Sequence, residues 1–522
     1  MLKIENTGEW PLIRLIAPAF PEVNIFTRYA NKMTSFGLIM VATIASKVWG
    51  WRVEVIDENN YRGPRDKRGL PDHHVLQREK IASVVGFYCG LTSTMERVFE
   101  LAEFYKKQGA TTLAGGWHVH YCPEEALSRN IDVVVHGDGE VVIRQILGAL
   151  TGTLIADIPG ISFWFIADIP GISFLEAGQI KTNAPIMLEV SNLDELPYPD
   201  FGLLRYARKI NYYPIGRIRG CGMNCEFCSV KGKPRWATAQ HLFNTVSWLV
   251  ETRKARYFFL VDDRLEQDVQ STIEFFRLVA RKYGNRLRFT VQIRLEAAKN
   301  TELLEAMKAA GVRTVCVGYE SPIDEDLKTM RKGYLSSHMI EWTKILRRYF
   351  WVHGMFIFGY PAKEGEESIR LGAQETARRF KRFISQAKID SIQVMHAVPL
   401  VGTDLRARLE KQGRIFPLEF VRWSKYDGNY VCFMPDGMTL AEFQETPLRI
   451  MKWFYGPFGF LKVSLRTVAF PLDFLIRGWH RWRRGWWRDV VNYGGHLLIQ
   501  RWHRKQRVDT FVATLQQYQN RR

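Results

Sequence analysis

The sequence predicts two successive α/β regions with parallel strands, followed by a mainly helical basic region. Three observations carry this reading. Short apolar segments alternate with helix-length segments over residues 1–150, the alternation resumes over 211–415, and beyond 416 it gives way to Trp and Arg. At 522 residues the chain has room for two or three domains with full-sized cores, and its 46% hydrophobic content is that of a globular protein. The expected division is a doubly wound sheet (1–150), a linker (151–210), a second α/β region (211–415) and the basic tail (416–522).

In the first region the candidate strands are Leu12 to Ala17, Arg52 to Asp57, Ser83 to Tyr88, Thr111 to Ala114 and Asp132 to His136. Five such strands suit a flavodoxin-like order. Gly37 to Trp49 is apolar enough for a buried first helix, and Met95 to Gln108 is amphipathic. Ligands of these sheets bind beyond the strand C-termini. That places interest on Gly115-Gly116-Trp117-His118 after the fourth strand and Gly137-Asp138-Gly139-Glu140 after the fifth. In the linker, Ile155 to Phe163 recurs as Ile166 to Phe174, a tandem duplication with no chemistry assigned to it. The Pro-containing run Leu193 to Phe201 reads as a stiff connector.

The second region opens on the strand Tyr213 to Ile218, which leads into Arg219-Gly220-Cys221-Gly222-Met223-Asn224-Cys225-Glu226-Phe227-Cys228. Cys221, Cys225 and Cys228 are spaced C-x3-C-x2-C. Thiolates are soft ligands, and three on one loop can hold three irons of a [4Fe-4S] cluster while the fourth iron stays open. A zinc site with no visible fourth ligand and three unrelated reduced thiols are the competing readings, although zinc knuckles usually pair two C-x2-C units. Further strands are Tyr257 to Val261, Arg288 to Gln292, Thr314 to Gly318, Val352 to Ile357 and Ser391 to Val394, which makes six. Polar groups close them: Asp262-Asp263, Gln292 with Arg294, and Gly318-Tyr319-Glu320-Ser321.

The thiol spacing, with Phe227 just before the last cysteine, resembles the cluster loop of radical S-adenosylmethionine enzymes. The resemblance implies a partial (β/α)6 barrel and a catalytic [4Fe-4S] cluster on Cys221, Cys225 and Cys228. Its open iron would chelate S-adenosylmethionine, and one electron would release a 5′-deoxyadenosyl radical. It further implies cofactor contacts from Phe227, from Asp262 or Asp263 to the ammonium and from Arg294 to the carboxylate, a task suited to its forked donors. Glu320 and Ser321, in a turn like the family's G-x-E-S, would contact the ribose or methionine moiety. Gly354, in Gly354 to Gly359, would stand in the adenine-side strand. A cellular one-electron reductant such as flavodoxin or ferredoxin is the implied partner.

The paired glycines of the first region look like the cobalamin-binding domain that precedes many such barrels, where Gly115, Gly116, Gly137 and Gly139 would let the backbone approach a flat macrocycle. No D-x-H-x-x-G motif follows the first strand. Asp72-His73-His74 lies elsewhere and has Gln77 where glycine is needed, so no histidine from that motif is expected on cobalt, and His118 is the alternative. The resemblance spans roughly residues 12–410. It implies a cobalamin-dependent C-methyltransferase acting on an unactivated carbon. An oxidative cyclase or rearrangement enzyme with the same cofactors, or a cluster-bearing binding or electron-transfer protein, are the alternatives. Methylthio transfer to RNA would call for a second cysteine triplet in the first region, which is lacking.

The net charge of +19 is unevenly placed, since Met451 to Arg522 holds fourteen Lys or Arg against three Asp. Trp479 to Arg488 interleaves indole and guanidinium groups, and Phe458 to Ile476 is apolar but broken by Lys462, Arg466, Pro471 and Asp473. Trp with Arg suits the headgroup level of a bilayer, so a peripheral membrane tail and a hydrophobic or lipid-like small-molecule substrate are expected. A helical lid on the barrel and stacking on nucleic acid are the competing readings. Seven cysteines, three of them in one loop, argue for a reducing, cytoplasmic setting. Met1 to Trp10 lacks the pattern of a secretory signal, and no run reaches the roughly 18 uncharged apolar residues that a spanning helix needs.

Overall fold

The computed structural model describes residues 10–21, 32–152, 166–185, 189–207, 210–363, 371–505 and 508–521. The described residues gather into two compact units, the first lying within Met1–Pro21, Phe26–Arg219 and Pro234–Asp262 and the second within Gly220–Lys233 and Asp263–Arg522.

In the first unit, β1 (Leu12–Ala17), β2 (Arg52–Asp57), β3 (Val84–Tyr88), β4 (Thr111–Gly115) and β5 (Val133–Val135) are parallel in the flavodoxin-like order β2-β1-β3-β4-β5. β6 (Ile172–Glu176) and β7 (Gln179–Thr182) extend this sheet antiparallel beyond β5. Part of the stretch read as linker is therefore sheet. The second copy of the duplicated segment supplies most of β6; the first copy lies outside the described residues. β1 is buried at every position, as expected of a strand covered on both faces. It nevertheless carries Arg14, whose guanidinium donates to Glu54 Oε1 at 2.6 Å, Gln77 Oε1 at 2.9 Å and Tyr105 Oη at 3.0 Å. That network compensates the desolvated charge.

The first unit also contains β8 (Tyr213–Ile215), β9 (Ile218–Arg219), β10 (Arg235–Trp236) and β11 (Tyr257–Leu260). β8 and β11 pair parallel, and β9 and β10 pair antiparallel. In the second unit, β12 (Arg288–Ile293), β13 (Val312–Glu320), β14 (Trp351–Phe358) and β15 (Ser391–His396) are successive parallel neighbours. All six strands expected of the partial barrel thus form.

Alternation along β13 and β14 separates a helix-facing side from a half-buried side. Phe356 and Phe358 bury against Phe380 of the helix Ala373–Ala387, each at 5.8 Å between ring centroids, and Tyr319 stacks on Phe356 at 5.3 Å. Thr314, Cys316, Gly318 and Glu320 of β13, with His353, Met355 and Ile357 of β14, take the half-buried side. The C-terminal region is helical as expected: Leu440–Phe454, Gly459–Val468, Phe470–Lys505 and Val508–Arg521, with a break at Gly478 (φ 74°, ψ 162°).

Candidate functional site

Each unit carries one constellation. In the first, a cavity of about 290 Å³ is lined by Leu15, Val41, Gly86, Gly115, Gly116, Gly137, Gly139 and Ile143 among others, with Asp138, Glu140 and Arg219 also in its wall. Absent side chains shape it. Gly116 has φ +129°, and a Cβ there would lie 2.6 Å from the carbonyl carbon of Cys89 and from the amide nitrogen of Gly90. A Cβ on Gly86 would lie 2.5 Å from Leu15 Cδ2 and would push that side chain out of the wall.

The cavity's charged groups are locked to one another. Arg219 Nη2 lies 2.6 Å from Glu140 Oε1 and its Nη1 lies 3.1 Å from Asp138 Oδ1, while Arg235 Nη1 donates to Asp138 Oδ2 at 2.8 Å. Burial pushes the Asp138 carboxyl up, but Arg219 and Arg235 override it and hold the group below the ordinary carboxylate range. Backbone walls, aliphatic contacts and neutralised charges suit a flat, largely apolar heterocycle. The chemistry of this wall therefore fits part of a cobalamin.

The four predicted glycines, Gly115, Gly116, Gly137 and Gly139, come together here; Gly86 and Arg219 were not predicted. The signal for Gly86 was a glycine interrupting the apolar strand Val84 to Tyr88. His118 does not line this cavity. It is buried, with Nδ1 3.3 Å from Thr92 Oγ1 and Nε2 3.4 Å from Glu125 Oε2, so both ring nitrogens already face protein oxygens. Its expectation as a cobalt ligand finds no support.

In the second unit the cluster loop is held by its own non-cysteine residues. Gly220 and Gly222 take φ +81° and +67°, and the Gly220 N–H donates to Asp263 Oδ2 at 2.7 Å. Glu226, between the second and third thiols, is buried and accepts from Tyr360 Oη at 2.7 Å and from Arg408 Nε and Nη2 at 2.8 and 3.0 Å. Its backbone N–H donates to Met330 O at 3.2 Å, and its carbonyl accepts from Leu405 N at 3.1 Å. Phe227 sits edge-on to Tyr360, with centroids 6.2 Å apart.

All seven cysteines are free thiols. Burial pushes the Cys221 and Cys228 thiols up; Arg264 and Arg294 oppose this at Cys221. Among the described residues, the His, Cys, Asp or Glu group whose ligand atoms all lie within 4.8 Å of one another is His118, Cys122 and Glu125, not the three loop cysteines. The donor set of three thiols on one pinned loop fits a [4Fe-4S] cluster.

Near these thiols stand Arg294 and Glu320, which interact electrostatically with Cys221 and Cys228 respectively. Arg294 Nη2 donates to Glu296 Oε1 and to Lys332 O, both at 2.7 Å, and its guanidinium lies 5.6 Å from the centroid of the Tyr334 ring. Glu320 sits at φ +60°, just past a register shift in β13, and Lys332 Nζ donates to its Oε1 at 2.8 Å. Gly318 is glycine because a Cβ there would collide with that Oε1. Burial alone would push the Lys332 ammonium down, but the Glu320 carboxylate overrides it and raises it. A guanidinium and a carboxylate beside the thiols fit the carboxylate and the hydroxyl or ammonium groups of S-adenosylmethionine.

Three predicted contacts, Asp262, Ser321 and Gly354, also have bonded or packed neighbours within the protein. Asp262 is buried and its Oδ1 accepts from the N–H groups of Arg217 and Ile218, at 2.6 and 2.9 Å, so it braces the backbone entering the loop. Ser321 is buried and donates to Asp326 Oδ2 at 2.5 Å, which ties it to the following helix Asp324–Thr329. The Cβ direction of Gly354 is occupied by Phe356 at 2.9 Å and Ile389 at 3.2 Å on the helix-facing side. Its neighbours His353 and Met355 take the half-buried side instead. The period-2 pleat was the signal that would have found them. Burial pushes the His353 imidazole down to about 4, so it is neutral at physiological pH.

Residues 24–147 match the B12 binding domain family and residues 215–371 match the Radical SAM superfamily. An uncharacterized methyltransferase of Pyrococcus horikoshii is 28% identical over 330 residues, covering 60% of this chain and 66% of the relative. The hopanoid C-2 methylase of Rhodopseudomonas palustris is 25% identical over 281 residues, covering 51% of this chain and 49% of the relative. The chain therefore spans between about half and just under two thirds of these curated relatives. Among solved structures, the radical S-adenosylmethionine methyltransferase TsrM of Kitasatospora setae, with cobalamin and a [4Fe-4S] cluster bound, has a TM-score of 0.61. It is 17% identical and covers 77% of this chain and 78% of its own, a likeness of fold.

Proposed function

We propose that this chain, a member of the radical S-adenosylmethionine enzymes that carry a B12 binding domain, is a cobalamin-dependent methyltransferase acting on an unactivated carbon of a hydrophobic small molecule. The observation that carries the reading is the presence in one chain of a glycine-shaped cavity and a pinned three-thiol loop flanked by Arg294 and Glu320. When bound, the cluster with S-adenosylmethionine supplies hydrogen-atom abstraction, and cobalamin supplies the methyl group. Cys221, Cys225 and Cys228 hold the cluster. Asp263 and Glu226 keep the loop in shape through backbone and side-chain hydrogen bonds. Arg294 orients the carboxylate of S-adenosylmethionine, and Glu320, itself held by Lys332, takes its hydroxyl or ammonium groups. Gly115, Gly116, Gly137 and Gly139 bring backbone against the cobalamin. A reducing, cytoplasmic setting with a flavodoxin- or ferredoxin-like electron donor suits seven free thiols.

The test is anaerobic. Reconstituted protein is loaded with hydroxocobalamin, desalted, and reduced with S-adenosylmethionine. Retained cobalamin together with 5′-deoxyadenosine and S-adenosylhomocysteine is the expected result. Deoxyadenosine without retained cobalamin would sink the methyltransferase reading.

A further inference from the structure

The C-terminal helices divide into a packed part and an unpacked part. Ile499, Trp502 and Leu515 are buried, His496 Nδ1 lies 3.1 Å from Tyr455 O, and Arg484 is clamped to Asp390 Oδ2 at 2.5 Å and to Phe350 O at 2.9 Å. This part packs within the second unit.

The helix Gly459–Val468 does not bury its outer side in the same way. It lies antiparallel to the segment after Gly478, fixed by Arg466 to Asp489 at 2.5 Å, Trp482 Nε1 to Arg466 O at 3.1 Å and Trp486 Nε1 to Thr467 Oγ1 at 3.0 Å. Leu461, Leu465 and Val468, at i, i+4 and i+7 on one face, are 53%, 59% and 82% exposed. Phe458, Leu475 and Trp479 extend the exposed apolar surface. Lys462, Arg481 and Arg483 are exposed within the same helical pair, and residues 456–488 contain seven Lys or Arg against one Asp.

A contiguous apolar patch set among cations marks an interaction surface. Among the described residues, no helix is long and apolar enough to cross a membrane. A one-sided apolar helix with cationic neighbours instead lies in the bilayer interface, where aliphatic side chains enter the acyl boundary and cations meet phosphates. Nucleic acid is the poorer match. Trp479, Trp482 and Trp486 stack on one another at 5.4 and 6.3 Å, and the two most exposed apolar groups of the patch, Val468 and Leu475, are aliphatic and have no ring face for a base.

We propose that the helix Gly459–Val468 with Leu475, Trp479, Arg481 and Arg483 forms a docking surface for an anionic phospholipid bilayer, through which the enzyme reaches a substrate dissolved in the lipid. The substrate clause rests on the function proposed above; the surface itself does not. Full-length reconstituted protein is to be floated with phosphatidylcholine vesicles and with vesicles also containing phosphatidylglycerol. Wild type is expected to float with the anionic vesicles, less with the neutral ones, and to be released by high salt. The double variants Leu465→Ser/Val468→Ser and Arg481→Glu/Arg483→Glu should each bind about tenfold more weakly or worse. Their thermal midpoint and vesicle-free deoxyadenosine formation should match wild type.

Wild type that stays unbound, or variants that bind equally well, would overturn the proposal. A dimer broken by the same variants without vesicle binding would also overturn it and assign the face to a second copy of the chain. Vesicle binding without deoxyadenosine formation supports the surface while removing the enzymatic reading.

Discussion

In the first unit the cavity exists because side chains are missing at Gly86, Gly115, Gly116, Gly137 and Gly139, and its charges are cancelled among Asp138, Glu140, Arg219 and Arg235. In the second unit the site exists because side chains are present: three thiols, with Glu226, Arg408 and Tyr360 fixing the loop and Arg294, Glu320 and Lys332 supplying charge beside it. A bulky, flat group is met by shape, which a Cβ at Gly86 or Gly116 would disturb. A charged cofactor on a metal cluster is met by donors and acceptors, which tolerate small changes of volume but not of charge.

The comparison breaks most visibly at the thiols. Cys225→Ala should remove the cluster absorbance and cut 5′-deoxyadenosine formation at least about a thousandfold, while the desalted protein still retains cobalamin. Loss of both cofactors together would show that the two sites are not independently built.

The converse variant is Gly116→Val. Its φ of +129° and the 2.6 Å approach to the Cys89 and Gly90 backbone make any side chain costly. With strain of about 1–3 kcal/mol, cobalamin affinity should fall about tenfold to a hundredfold, with iron content and deoxyadenosine formation near wild type. Unchanged cobalamin affinity would remove the cavity from the cofactor site.

The smallest effect concerns pH. Burial is the main cause that raises Asp57 of the first unit to about 6 and Asp326 of the second to about 7. Each folded carboxyl therefore holds its proton more tightly than in the unfolded chain, where an Asp titrates near its ordinary 3.8. The stability each contributes is fully present below that value and is lost as pH rises through about 6 for Asp57 and about 7 for Asp326. Asp57→Asn and Asp326→Asn should each flatten the loss of urea resistance between pH 4 and the corresponding value by about 1–3 kcal/mol. A profile as steep as that of wild type would show that the carboxyl ionises normally in the fold.

Much of this was written locally. The five parallel strands of the first unit, the six later strands and the helical tail followed from apolar periodicity, which reports burial one element at a time, while the flavodoxin-like order came only as what five such strands suit. The thiol loop and the glycine turns were legible because metal ligation and close backbone approach demand particular residue types at fixed short spacings.

What the sequence could not fix by itself was the direction and partner of each polar side chain. Only the tertiary structure shows that Asp262 Oδ1 braces the Arg217 and Ile218 backbone, that Ser321 bonds Asp326, and that Phe356 and Ile389 fill the Cβ direction of Gly354. Glu226 looked like a spacer between two cysteines until Arg408, 182 residues away, closed on it. Likewise the tail's composition allowed both a lid and a membrane surface, and only packing buried Trp502 while leaving Val468 exposed. Spacing along the chain constrains what a segment can become; partners that are distant in sequence decide which of its groups remain free to act.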